Sequence, residues 1–299
     1  MHKVQCSQLG SNGRFGNQLF QYAFAKSFAL KNNCDLYLDI YTGFIFDFQF
    51  KRKYELNNLD LNEKKATFYL LLIYYLSKLD YKLKKKDKSI YYMRRPYASF
   101  LYELEHIYNP DYQNIKFNGI LFIDGYWQSP KYFNEFKLII KNDFSIKQNF
   151  SRKINDLGKK ISNENSIALC LRLYEEVNNP GILSSTGLQK SILEINQQLT
   201  NVLNSTQESN VYFFCTHKPT FLNELLLPKN TTFITADNSF NNTIETLHLL
   251  KQCKKFVILN SSFYWWGAYL SNTQKEESAI YADSNFLNQD IYLDNWIKF

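Results

Sequence analysis

Two patterns of apolar positions alternate along this 299-residue chain. Short runs such as Phe256-Val257-Ile258-Leu259 are apolar throughout, which marks strands covered on both faces. Between them, apolar residues recur at spacings of three and four, as in helices. In the second half, residues 166–173, 211–215, 232–235, 256–259 and 279–281 are predicted strands. Residues 188–203, 218–226, 242–253 and 263–270 are the helices between them. A parallel sheet with helices on both faces follows, placing the chain in the α/β class.

The first half is less regular. Strands are predicted at 4–9 and 35–39, flanking an amphipathic helix over 17–31 in which Phe20, Ala23, Phe24 and Ala25 share a spacing. A strand from Leu121 runs into the turn Asp124-Gly125-Tyr126-Trp127-Gln128-Ser129-Pro130, with a helix from Pro130 onward. The polar stretch 146–165, helical by Ile154, Leu157 and Ile161, holds the connection between two domains, 1–150 and 151–299. Within the first domain a basic, aromatic insertion lies near 60–110.

Two turns carry candidate chemistry. Asn260-Ser261-Ser262 follows an apolar strand and opens the aromatic helix Phe263-Tyr264-Trp265-Trp266. Hydroxyls and free N–H groups at a helix start suit a phosphate, by donors and by dipole. A serine N-cap on a core helix is the alternative reading. Near the N-terminus, Gly10, Gly13 and Gly16 lie within seven residues just before the first helix. Such a turn lets backbone approach a ligand closely, although it matches neither the Walker A nor the dinucleotide-binding spacing. Ligands of parallel sheets bind at the carboxyl ends of strands, where the 260–262 turn and the turn after Leu171-Arg172-Leu173 both fall.

Composition narrows the partners. The five cysteines are scattered without a Cys-x-x-Cys pair, which argues for a reducing compartment and against a zinc site. No apolar signal core follows Met1, so a cytoplasmic protein is expected. Of the net charge of +7, the segment 78–95 supplies +6 through eight Lys and Arg against two Asp. It follows the apolar run 66–76, too short to span a bilayer at about 20 residues. Peripheral contact of 66–95 with an anionic membrane is one reading; a buried helix followed by a solvated lysine loop is the other. Nucleic acid is not expected, because the basic patch is one local run without a recognition motif.

Three blocks in order give the chain a resemblance to the alpha-1,2-fucosyltransferases of glycosyltransferase family 11. They are Gly13-Arg14-Phe15-Gly16-Asn17-Gln18-Leu19-Phe20, then Asp124 to Phe133, then Cys253 to Ala268 with Ser261-Ser262-Phe263-Tyr264-Trp265-Trp266-Gly267 at its heart. The resemblance implies a GT-B fold, two Rossmann-like domains with a cleft between them. It also implies an inverting, metal-independent transfer from GDP-fucose to a glycan, with no cofactor beyond the GDP-sugar itself. No Asp-x-Asp occurs in the sequence to hold a divalent ion. Leaving-group charge must then be offset by arginine, hydroxyls and helix-terminal N–H groups. On this resemblance Arg172, Asn260, Ser261, Ser262 and Phe263 hold the donor, with Gly13, Arg14, Gly16, Asn17 and Gln18 reaching it from the first domain; His217, where relatives often carry an acidic residue, is a further candidate donor contact. Tyr126, Trp127 and Gln128 face the acceptor.

The departure lies at Cys170-Leu171-Arg172-Leu173-Tyr174-Glu175, where the family carries His-x-Arg-Arg-Gly-Asp. Arg172 survives as a bidentate donor for the β-phosphate. Glu175 is either the base that takes the acceptor proton or a solvated loop carboxylate. His217 is likewise either a phosphate contact or a surface histidine. These changes admit three functions: an α-1,2-fucosyltransferase acting on galactose in surface polysaccharide or lipopolysaccharide synthesis, a transferase for another GDP-linked 6-deoxyhexose or heptose, and a non-catalytic nucleotide- or glycan-binding relative.

Overall fold

The computed structural model of the protein describes residues 4–9, 13–45, 47, 51–83, 92–94, 98–174, 186–205, 209–271 and 279–299. The chain divides into two compact units, Met1–Lys147 with Asn288–Ile291, and Gln148–Leu287 with Tyr292–Phe299.

The first unit runs β1 (Val4–Gln8), α1 (Phe15–Asn32), β2 (Asp35–Asp39), α2 (Thr42–Ile45), β3 (Lys64–Lys65), α3 (Phe68–Leu83), β4 (Tyr92–Arg94), β5 (Ser99–Tyr102), β6 (Ile120–Asp124) and α4 (Lys137–Asp143). Its sheet has the order β3-β2-β1-β6-β5-β4, parallel except for β4 against β5. The chain builds outward from β1 to one side, then returns to place β6 on the other. The switch point, where α/β sheets bind ligands, therefore falls between β1 and β6.

Helix α1 differs from the amphipathic helix expected: thirteen of its eighteen residues are buried, on every side. Phe, Ala, Leu and Tyr occupy all faces, so no polar stripe remains to turn outward. In contrast, α3 is two-faced. Leu70, Ile73 and Tyr74 pack with Phe100 and Phe122, while Phe68 is 80% exposed, Tyr69 65% and Leu76 48%. After Pro130 the expected helix is broken into two 3-10 turns, Pro130–Tyr132 and Asn134–Phe136, before α4 begins.

The second unit runs α5 (Arg152–Asn163), β7 (Asn165–Cys170), α6 (Ile192–Asn204), β8 (Ser209–Phe214), β9 (Thr232–Ile234), α7 (Thr243–Leu250), β10 (Lys255–Ile258), α8 (Ser262–Leu270), β11 (Ile280–Ala282) and β12 (Trp296–Lys298). All six strands are parallel, in the order β12-β11-β10-β7-β8-β9. This is the doubly wound nucleotide-binding order, and its switch point lies between β7 and β10. Ile167, Ala168, Leu169 and Cys170 have no exposed surface, as expected of a strand covered on both sides.

Two helix boundaries shift for local reasons. Helix α6 starts at Ile192 instead of 188 because Ser191 and Glu194 form a reciprocal capping box. The helix expected over 218–226 is one 3-10 turn, Leu222–Glu224. There Asn196 of α6 donates to the Glu224 carbonyl and accepts from the Leu226 N–H, both at 2.8 Å, pinning the segment against its flank. Glycine 267 is required by close helix contact: a Cβ there would meet Leu250 Cδ2 at 2.1 Å.

Candidate active site

The second switch point gathers Arg172 and the 260–262 turn, since β7 ends at Cys170 and its neighbour β10 at Ile258. Arg172 is half-buried, with its guanidinium carbon 5.4 Å from the Tyr174 ring centroid. Among the described residues it makes no ion pair. The Tyr174 hydroxyl donates to the Asn260 carbonyl at 2.6 Å, and burial pushes that phenol up to about 12. Tyr174 thus latches the turn after β7 to the turn after β10.

Asn260 is expected to hold the donor, but its amide nitrogen is engaged within the loop. Its Nδ2 donates to Gln189 Oε1 at 2.9 Å and to the Asn285 carbonyl at 2.8 Å, and its N–H donates to Asp283. Both amide protons are consumed in holding the loop. Asp283 is fully buried, and burial raises its carboxyl above the usual range.

Ser261 stands in extended backbone at the start of α8, and its side chain makes no capping bond. Ser261 is thus the N-cap residue by position but not by a side-chain bond, and among the described residues no side-chain hydrogen bond closes the positive end of this nine-residue helix. Ser262 and Phe263 are half-buried beside it. Beneath, Tyr264, Trp265 and Trp266 are core residues; the buried Tyr264 hydroxyl lies 3.2 and 3.3 Å from the carbonyls of Leu171 and Phe214. His217 is half-buried after β8. The adjoining Lys218 N–H donates to Asp237 Oδ2 at 2.6 Å. Cys170 is wholly buried, which raises its thiol well above the ordinary value and leaves it packing only. Glu175 lies outside the described residues.

In the first unit, the start of α1 meets the loop after β6. Gln128 Nε2 donates to Asn17 Oδ1 at 2.8 Å, joining the two sides of the switch point. Gly13 is indispensable here, because a Cβ would fall 2.1 Å from Asn17 Nδ2. Gly16 is buried in the first turn of α1, and Arg14 is exposed.

Two expected ligand contacts are structural instead. Gln18 is fully buried; its Nε2 donates to the Lys53 carbonyl at 2.8 Å, and its Oε1 accepts from Glu55 N–H at 3.0 Å. Trp127 is 1% exposed and stacks on Phe24 at 3.9 Å, with Tyr112 and Tyr132 against its edges. The α1 N-terminus itself is occupied, since the Phe15 N–H donates to Glu55 Oε2 at 2.7 Å. A carboxylate there satisfies the dipole, although burial raises the Glu55 carboxyl.

Sequence reasoning missed Glu103. It follows β5, its side chain is 1% exposed, and its Oε2 accepts from the N–H groups of Tyr126 and Trp127 at 2.6 and 2.9 Å. No local motif announces it, because its partners are backbone groups over twenty positions away. Tyr126 is half-buried, with its ring 5.0 Å from that of His106. Among the described residues, no three His, Cys, Asp or Glu side chains cluster to hold a metal ion, and no helix is long and apolar enough to cross a membrane.

Two units, each built on a largely parallel sheet with a switch point, give the chain a GT-B fold, the architecture of a class of glycosyltransferases. The glycosyl transferase family 11 profile matches residues 9–299, and the chain belongs to that family. It is 28% identical over 280 residues to an alpha-1,2-colitosyltransferase of Escherichia coli, covering 87% of this chain and 86% of the relative. Its fold is similar to that of FUT1 from Arabidopsis thaliana, solved as a variant in complex with GDP. There the TM-score is 0.50 at 12% identity, over 90% of this chain and 68% of the other. Fucosyltransferase NodZ from Bradyrhizobium matches with a TM-score of 0.49 at 12% identity, over 91% and 94% of the two chains.

Proposed function

We propose that this glycosyltransferase moves fucose, with inversion and without a metal, from GDP-fucose to a hydroxyl of a glycan, forming an α-1,2 linkage to galactose in surface polysaccharide synthesis. The observation that carries the reading is that Arg172 and the start of α8, whose N-cap Ser261 makes no side-chain capping bond, follow the two strands that flank one switch point. Arg172 and the Ser261 and Ser262 hydroxyls take the diphosphate and stabilise the charge on departing GDP. Phe263 and His217 complete the donor side, with Arg14 and Asn17 as the first unit's polar contributors. Tyr126 and Gln128 serve the acceptor, and Glu175 keeps its proposed place near the chemistry.

A second reading, colitose in place of fucose, is favoured by the E. coli relative and by the altered residues Cys170, Leu173 and Tyr174. Incubation with GDP-fucose, GDP-mannose, GDP-colitose and GDP-heptoses, each with galactose-terminated acceptors and no metal, separates these readings by product mass. A fucosylated product supports the first, and transfer from another donor the second. GDP binding without consumption of any donor returns the protein to the non-catalytic class.

The acceptor is proposed to be presented at an anionic membrane face through 66–95. The outer face of α3 supports this, as does a cavity of about 550 Å³ lined by Lys31, Arg94 and Lys116. Most of the lysine run, residues 84–91, lies outside the described residues.

A further inference from the structure

The turn after β10 joins one fully engaged residue to two that are not. Asn260 donates its N–H to Asp283 Oδ2 at 3.1 Å, and its carbonyl accepts the Tyr174 hydroxyl at 2.6 Å. Its side-chain nitrogen donates to Gln189 Oε1 at 2.9 Å and to the Asn285 carbonyl at 2.8 Å. The peptide is thus held by its nitrogen, its oxygen and its side chain together. Ser261 and Ser262 follow at once. Among the described residues, neither their hydroxyls nor their N–H groups make a hydrogen bond.

Asp283 organises this hold. It comes directly after β11, and its own N–H extends the pairing with β10 by donating to the Ile258 carbonyl at 2.9 Å. The side chain is wholly buried. Oδ2 takes the Asn260 N–H, and Oδ1 takes the Asn285 N–H at 2.8 Å. Because the Asn285 carbonyl receives the Asn260 side chain, the three residues form a closed ring of hydrogen bonds.

A buried carboxylate is costly unless it is hydrogen-bonded and paired. Lys190 supplies the opposite charge from the loop before α6. Its side chain is 9% exposed, and its Nζ lies 4.0 Å from Asp283 Oδ1 and donates to the neighbouring Ser284 hydroxyl at 3.0 Å. Two N–H groups met by the two oxygens of one side chain explain why a carboxylate stands here. An amide would turn an NH₂ group toward one of those donors.

All of these residues belong to the second unit. Tyr174, Asn260 and Asp283 follow β7, β10 and β11, neighbours in the sheet, so the network lies on the side of the switch point where Arg172 stands. We infer that Asp283 is a positioning residue of the donor site: through the Asn260 N–H it fixes the turn, so that the Ser261 and Ser262 donors are already in place when a diphosphate arrives; this rests on the donor reading above. Tyr174 and Gln189 act in the same hold, on the Asn260 carbonyl and side chain. Donors ordered during folding stabilise an anion more than donors that binding must order. The hold therefore acts on the phosphates and not on the nucleoside.

The test measures GDP and guanosine affinity for the wild type, Asp283→Asn, Gln189→Ala and Tyr174→Phe, with Asn196→Ala as a control. Asn196 makes its two bonds to the 224–226 segment of the same unit, so its loss lowers Tm without touching the turn. Asp283→Asn should weaken GDP binding about 10- to 100-fold, the worth of a hydrogen bond to a charged group, and leave guanosine binding unchanged. Gln189→Ala and Tyr174→Phe each remove one neutral bond and should weaken GDP binding about 2- to 10-fold. These two carry the test alone where Asp283→Asn does not fold. Asn196→Ala should melt at a lower temperature and bind GDP as the wild type does. Equal GDP affinity in the wild type and the three variants overturns this inference alone. A matching loss for guanosine, or a loss in Asn196→Ala as large as theirs, does the same. No binding of GDP by the wild type overturns the donor reading, and this one with it.

Discussion

Asn17 and Gln128, 111 residues apart, share a 2.8 Å hydrogen bond that ties the start of α1 to the loop after β6. Both motif blocks of the first unit therefore act as one. Their separate substitution should be strongly non-additive, as for groups in one network. We expect Asn17→Ala and Gln128→Ala each to lower kcat/KM up to about tenfold, the worth of one net hydrogen bond. The double variant should add little. Gly13→Ala should imitate Asn17→Ala, because its methyl displaces the Asn17 amide. Additive losses in steady-state kinetics would break the pairing as a functional unit.

Arg172, half-buried just past the end of β7, is the residue proposed to meet the diphosphate. Arg172→Ala should weaken GDP binding by roughly 10- to 100-fold, in line with about 1.5–3 kcal/mol for a charged hydrogen bond. Arg172→Lys keeps the charge but not the fork, so it should recover only part of the loss. Calorimetric titration with GDP checks both. Unchanged affinity in Arg172→Ala removes the residue from the diphosphate site.

Away from the site, the Tyr22 hydroxyl lies 2.7 Å from both Glu63 Oε2 and Asp143 Oδ2, with Lys26 paired to Glu63. One phenol proton cannot satisfy two ionised carboxylates. Burial, ahead of the opposing Tyr22 bond and Lys26 charge, raises the Asp143 carboxyl. A folded value above the unfolded one gives stability that is present at low pH and lost as pH rises through the folded value. Asp143→Asn, which donates permanently to Tyr22, should thus gain in Tm relative to the wild type between pH 4 and 7 (about the carboxylate range). A difference in melting temperature that is flat across that interval would contradict this shared proton.

The outer face of α3 bears Phe68, Tyr69, Leu72 and Leu76, all exposed. Phe68→Ser with Leu72→Ser should reduce sedimentation with anionic liposomes at low salt while leaving turnover on a free acceptor intact. Burial of two such side chains contributes about 3–6 kcal/mol to membrane partition, so the change should be large. If the double variant sediments like the wild type, α3 is not the contact.

Much of this protein was legible in one dimension. Apolar runs marked most strands of the second unit, because a strand covered on both sides needs no alternation. Glycines and Asn-Ser-Ser marked the turns, because few other residues suit such local geometry. Which side chains are available to a ligand was not legible. Gln18 and Asn260 carry suitable amides, yet both are spent on backbone and side-chain partners that only folding brings near. Trp127 was expected to face the acceptor and is core, since Phe24 stacks on it from a helix a hundred residues earlier. Glu103 accepts two N–H groups only because a left-handed turn at Trp127 aims them at its carboxylate. Local sequence determined where the chain turns and which segments are apolar on every side. Tertiary structure decided which polar groups are already satisfied, because hydrogen bonds between distant residues leave no periodic trace in the sequence.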